Sequence, residues 1–499
     1  MKQIRSIIVV LCMGLLAACQ QAQVPTNYTQ LNVQPTIYPD YLDVTVPVNI
    51  APLHFQLAAQ CDEVVTRLKT ADEEVVLGGS AVCPDFDDWS ALVQKAKDKS
   101  ISVEMFARSG EQWHRYQPFK IYVSPDSIDP WLTFRLISPS YVTYEELTIN
   151  QRCLENYDER VIYDNMLCST ETNGQCINCH YSQQGNPRRT MFHARQNFGG
   201  TMLNIDGKLT KVNLKTDSTL SAGVYPAWHP KQNVLVYSTN NTMQSFHTRD
   251  IDKIEVLDAQ SDLIFYDPEK NEVSSIENDS QEFETFPCWT PDGRWLYYSS
   301  AHFEWRDTIE KSSECILRYK DIRYNIYRKS FDPERHTFGP RELVFAADSL
   351  GLSATLPRIS PDGRFLLVAV GEWGTFHIWH RDADLWLMDL QTGQIGPFTE
   401  VNSPTVESFH NWSSNGRWIV ISSRRDDGNF TRPFFAHVDK DGHATKPFEL
   451  PTDDPNYHRE FMKSYNVPEF MRGPVTIKPQ DYADALKRPA LDAKFVGHK

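Results

Sequence analysis

The chain has 499 residues with 40% apolar side chains, ordinary for a soluble globular protein and enough for two or three domains. A formal net charge of −15 argues against a nucleic-acid partner. Thirty prolines and 12 tryptophans, with many Pro-Asp-Gly-like turns and few long amphipathic patterns, point to a mainly β fold.

At the amino end Lys2 and Arg5 precede a short apolar run, 6–16, too short to span a bilayer. Leu16-Ala17-Ala18-Cys19 follows, and then the polar Gln20-Gln21-Ala22-Gln23. This resembles the lipobox of bacterial lipoproteins, which implies a signal peptide over 1–18 and acylation of Cys19. The expectation is an exported chain held to a membrane by lipid on Cys19, by default on the outer membrane facing the periplasm. Surface exposure is the alternative. No later run is long and apolar enough for a transmembrane helix. Residues 19–40, rich in Gln, Pro and Thr, read as a tether. Residues 41–137 alternate strand-like runs (42–48, 102–106, 119–123) with one helical pattern at 87–96, and read as a small β-rich accessory domain of Ig-like type.

Export permits disulfides. Of ten cysteines, Cys12 leaves with the signal peptide, Cys19 takes lipid, and Cys176 and Cys179 belong to a motif described next. The remaining six fall into sequence-local pairs, so the expected bonds are Cys61–Cys83, Cys153–Cys168 and Cys288–Cys315, although spacing alone does not fix connectivity.

The segment 138–195 holds the strongest chemical signal, Cys176-Ile177-Asn178-Cys179-His180. CxxCH places two thiols to add across the vinyl groups of one haem c and sets His180 as the proximal iron ligand. A zinc site would want a second CxxC or a His pair, and a thioredoxin-like motif would want βαβ surroundings. If 188–195 is extended, Met191, His193 and Arg195 share a face, and Met191 or His193 is the candidate distal ligand. His229, Met243 and His247 are weaker candidates. Arg188, Arg189 and Arg195 could pair with haem propionates or form a solvated face.

A strand–turn–strand pattern then repeats. It appears as Trp289-Thr290-Pro291-Asp292-Gly293-Arg294-Trp295, as Ile359-Ser360-Pro361-Asp362-Gly363-Arg364-Phe365 and as Trp412-Ser413-Ser414-Asn415-Gly416-Arg417-Trp418. A degenerate copy starts at Trp228-His229-Pro230. Asp-Gly and Asn-Gly supply the positive φ of a tight turn, and an apolar strand follows each. Further β units at 263–273, 325–337, 385–395 and 434–444 give four strands per repeat, which is propeller logic.

These residues resemble the repeats of the periplasmic protein family of TolB-like β-propellers, over roughly 196–455. The resemblance implies a propeller of five or six blades, preceded by the haem segment and followed by a tail, 456–499, packing along it. A β-sandwich array is the structural alternative. Lipobox, CxxCH and repeats together are similar to a poorly characterised class of Bacteroidetes-type lipoproteins. The expected function is electron transfer by one covalent haem, coupled to protein binding on the propeller face. The alternatives are a haem enzyme acting on peroxide or another small molecule, and a non-redox envelope assembly module. No HExxH, GxSxG or phosphate-cradling glycine loop is present.

Overall fold

The computed structural model describes residues 22–138, 146–306 and 310–499. The expected signal peptide and Cys19 lie outside them. The chain divides into two compact units, Met1–Pro125 with Pro451–Arg459, and Asp126–Leu450 with Glu460–Lys499.

In the first unit the long strand Lys99–Ser109 is the spine of a seven-stranded sheet, flanked by Glu63–Lys69, Gln112–Arg115 and Phe119–Ser124. Its alternation buries Ile101, Val103 and Met105 on one face. Helix Phe86–Lys95 starts where the Asp85 carboxylate accepts the Asp88 N–H at 2.8 Å, and it buries Trp89, Leu92 and Val93. Two strand pairings here are parallel, His114–Arg115 with Thr29–Gln30 and Tyr122–Ser124 with Thr45–Pro47. A mixed sheet carrying a helix departs from the Ig-like expectation. The presumed tether is also part of this unit from Thr29 onward, and the unit ends at Pro125 rather than at 137.

The second unit is a β-propeller. Among the described residues, six antiparallel four-stranded blades can be followed by strand pairing. The inner strands are Ser464–Met471, Gln175–Ser182, Val224–Trp228, Glu282–Trp289, Ser353–Ile359 and Glu407–Trp412, for blades one to six. Blade one takes its other three strands, Trp131–Ile137, Thr148–Cys153 and Glu159–Asp164, from the other end of the unit's sequence. Blades three and four touch through one parallel bridge, Ser261 to Phe283.

The sequence repeats are the turns between first and second strands. In blade five Ser360 Oγ and the Arg364 N–H donate to Asp362 Oδ1 at 2.5 and 3.0 Å, and Gly363 sits at φ +74°. Blade six does the same with Asn415, and blade four with Asp292. In the degenerate copy His229 Nδ1 takes over, accepting the N–H groups of Lys231 and Gln232. The tryptophans opening two of these turns tie neighbouring blades. Trp289 Nε1 donates to Ala227 O and Trp412 Nε1 to Arg358 O, both at 3.2 Å.

The propeller therefore runs beyond the expected 196–455. The segment 138–195 is not a separate haem module: it provides parts of the first two blades. Helix Pro479–Leu486 packs Tyr482 and Leu486 into the apolar cluster between these blades, and Leu491–Asp492 and Lys494–His498 add edge strands to blades two and three. No described helix is long and apolar enough to cross a membrane.

Candidate functional site

Each inner strand breaks its register at one place, and a residue there adopts positive φ: Cys179, Tyr225, Phe286, Leu356, Phe409 and Val467, at 45–56°. These are β-bulges, which re-aim side chains out of the sheet. The next residue is Pro in four blades (Pro226, Pro287, Pro357, Pro468) and His in two (His180, His410). The six bulges meet at the axis and wall a cavity of about 320 Å³. A smaller cavity of about 100 Å³ shares Tyr181, Arg358, Asn411 and Glu469 with it.

Half of the CxxCH motif opens onto this space. Cys179 and His180 line the cavity, whereas Cys176 is buried with Tyr163, Phe192 and Tyr482 in the cluster between blades one and two. The Cys179 thiol lies by the backbone of Tyr225 in blade three, and burial raises its pKa. The His180 ring turns the other way, toward the carbonyls of Val467 and Thr133 in blade one. Burial, with the Arg135 charge, lowers its pKa to about 4. Its Nε2 is buried without a hydrogen-bond partner. His410 holds the same place in blade six, against Leu356 and Leu367, but its Nε2 meets Leu367 O at 3.1 Å.

The candidate distal ligands are spent elsewhere. Met191 Sδ accepts from the Tyr237 hydroxyl at 3.4 Å, and His193 Nδ1 lies 3.1 Å from Thr201 Oγ1. Neither lines the cavity, and burial lowers the His193 pKa to about 3. His229 lies under Gly293, and His247 packs on Tyr319. Met243 does face the cavity. Arg188 and Arg189 pair with Asp206 at 3.8 and 2.9 Å, while Arg195 reaches the cavity. Among the described residues no group of three or more His, Cys, Asp and Glu side chains is placed to hold a metal ion.

None of the three expected disulfides forms. All eight described cysteines are free thiols. Cys153 closes a strand of blade one, and Cys168 donates to Ala483 O at 3.7 Å. Cys288 faces Arg358, whereas Cys315 is buried on a helix in another apolar cluster, with its pKa pushed up to about 12. Cys61 and Cys83 sit partly and fully at the surface of the first unit, Cys83 beside Asp453 and Asp454. Local sequence spacing misled because successive elements belong to different packing clusters.

The rest of the wall was not visible as a site in the sequence. Tyr225, Phe286 and Phe376 form an aromatic cluster with ring centroids 4.8–5.8 Å apart, and Trp379 and Phe409 extend it. The signal that could have found the bulges is a Pro or His shortly before the turn, preceded by an aromatic residue in three blades, as in Tyr225-Pro226, Phe286-Pro287 and Phe409-His410.

No family model and no curated protein matches the chain. Among solved structures it is similar to a puromycin-hydrolyzing peptidase of Mycobacterium tuberculosis, at 13% identity and a TM-score of 0.35, over 86% of this chain and 57% of that one. It is also similar to the β-propeller domain of the Trilobed protease of Pyrococcus furiosus, at 11% identity and a TM-score of 0.28, over 70% and 82%. The chain thus spans just over half the length of the first of these. The propeller assignment rests on the strand pairing described above.

Proposed function

We propose that this is a lipid-anchored protein of the cell envelope, akin to TolB-like propeller lipoproteins, that carries a redox centre in its propeller axis and passes single electrons to a protein docked on the propeller face. The observation that carries the reading is that Cys179 and His180 line one cavity together, with His180 Nε2 buried and without a partner. A covalent haem c there would take His180 as its axial ligand and Cys179 as one thioether, and would supply reversible one-electron chemistry. Attachment through Cys176 as well requires that residue to turn out of its apolar cluster, so the inner strand of blade two must rearrange around the group.

A second reading has its own observation. His410 fills the same bulge position without any cysteine pair, so a histidine there also serves the fold, and the cavity can be the site of a binding propeller without redox chemistry. The two are separated by maturing the protein with a c-type haem attachment system. The first reading expects a covalent thioether haem in the reduced absorption spectrum, carried by the tryptic peptide that contains Cys179. Insensitivity to carbon monoxide would mark a six-coordinate electron carrier, and ready binding a small-molecule enzyme. A matured chain of unaltered mass sinks the haem reading and leaves the binding propeller.

A further inference from the structure

The cavity has an electrostatic character that neither the motif nor the repeats predict. Three guanidiniums open onto it, from Arg135 on the second strand of blade one, Arg195 on the second strand of blade two and Arg358 on the inner strand of blade five. None is within ion-pair distance of a carboxylate among the described residues. This contrasts with Arg364 on Asp389 and Arg425 on Glu407, each at 3.0 Å. Arg135 donates to Ile177 O at 3.0 Å and Arg358 to Pro357 O at 2.9 Å, and Arg195 lies 2.6 Å from the Asn178 side-chain amide, whose oxygen accepts from it once the amide is turned over. These contacts orient the guanidiniums and leave their charge uncancelled.

Glu469 is the one carboxyl in the wall. It accepts the Ser182 N–H at 3.2 Å, and burial pushes its pKa up to about 8, so near neutral pH it is largely uncharged. Three net positive charges thus face the cavity, Arg135 and Arg358 from half-buried positions and Arg195 from an exposed one, in a chain whose formal charge is −15. Unpaired charge that is partly dehydrated, as at Arg135 and Arg358, is costly unless a counter-charge arrives. Fork-shaped donors match a carboxylate, and the aromatic cluster opposite supplies a surface for a flat apolar body.

We propose that the central cavity recognises a carboxylate-bearing ligand with a flat apolar body, with Arg135, Arg195 and Arg358 as its anion-binding residues. This rests on the cavity being the working site, which both functional readings share. Such carboxylates have two sources, the propionates of a porphyrin and a diffusible aromatic acid.

The test uses the full chain with Cys176→Ser and Cys179→Ser, so that nothing attaches covalently, and two probe pairs: protoporphyrin IX against its dimethyl ester, and pyrenebutyrate against its methyl ester. The acid should bind about tenfold tighter than its ester in at least one pair, as expected for charge-assisted hydrogen bonds. Arg195→Gln and Arg358→Gln should each shrink that preference severalfold, with Arg→Lys intermediate and thermal melts confirming that each variant folds. Preference in the porphyrin pair alone identifies the porphyrin source, and preference in the pyrene pair identifies diffusible acids. Equal binding of acid and ester, or a preference that survives both Gln variants, overturns the proposal. Val256→Trp fills the cavity: if acid and ester bind this variant as before, the cavity itself is not the binding site, which is a separate failure.

Discussion

The inner strands of blades two and six carry the same bulge and the same histidine, yet use them differently. In blade six, Phe409-His410 ends with His410 Nε2 on Leu367 O at 3.1 Å, a hydrogen bond to the preceding blade. In blade two, Cys179-His180 places the ring against the equivalent carbonyls of blade one, but Nε2 is left without a partner. The fold needs a residue here that fits the bulge, and proline suffices in four blades. What exceeds that need in blade two is the pair of cysteines, since each ring keeps one buried nitrogen without a partner, Nε2 in His180 and Nδ1 in His410. A motif inside a repeat is best judged by subtracting what the other copies already require.

The comparison can be broken by substitution. His410→Ala removes a buried bond and leaves a void, and should cost about 2–3 kcal/mol in urea unfolding. His180→Ala should cost about 1 kcal/mol less, because its Nε2 has no hydrogen bond to lose. Equal losses would show that His180 is bonded as His410 is. Acid sharpens the contrast. Burial lowers the pKa of His410 to about 3 and of His180 to about 4, so the unfolded chain binds more protons between those values and about 6.5. Stability is therefore fully present above pH 6.5 and is lost as pH falls toward 4, and His410→Pro should flatten this loss more than His180→Pro. Denaturant midpoints across pH 4–7 measure it.

Smaller effects follow from the cysteines and from the backbone. Cys176→Ser puts a hydroxyl into an apolar cluster and should cost about 1–2 kcal/mol. At pH 7 either His→Pro variant should lose no more than about 1 kcal/mol beyond its His→Ala counterpart, since four blades already hold proline there. Cys179→Ser, at the cavity wall, should change stability by less than about 0.5 kcal/mol, read from the same melts. A larger loss for Cys179→Ser than for Cys176→Ser would reverse the assignment of which thiol faces the axis.

Much of the fold was legible because turn chemistry is local. Trp289, Ile359 and Trp412 each announce a turn whose Asp or Asn accepts backbone donors, and the propeller follows from their repetition. Its first blade and the inner half of its second were missed for physical reasons. Blade two turns through Gln184-Gly185-Asn186 without Asp-Gly, and blade one pairs Trp131–Ile137 with Ser464–Met471, a register that no local pattern records. The cavity was half legible. Cys179 and His180 stand out as chemistry, with Arg195 read beside them as an anion partner, but Arg135 and Arg358 lie apart in the chain and join them only once the blades are arranged around one axis. The disulfide expectation failed for the converse reason, since neighbours in sequence were assigned to different cores.

The composite blade has a consequence for the order in which the molecule can be assembled. Asn466, Val467, Pro468 and Glu469 are part of the axial wall and come from near the chain's end. A chain delivered from its amino end must present the inner strand of blade two long before these residues arrive. Until then the ring lacks the inner strand of blade one, the element whose Val467 carbonyl faces His180 in the finished structure. Insertion of Ser464–Met471 is then the step that shuts the gate, so anything too large for the mouths of the finished channel has to be in place beforehand. Blade one thus acts as a timer, setting a last moment for loading the axis.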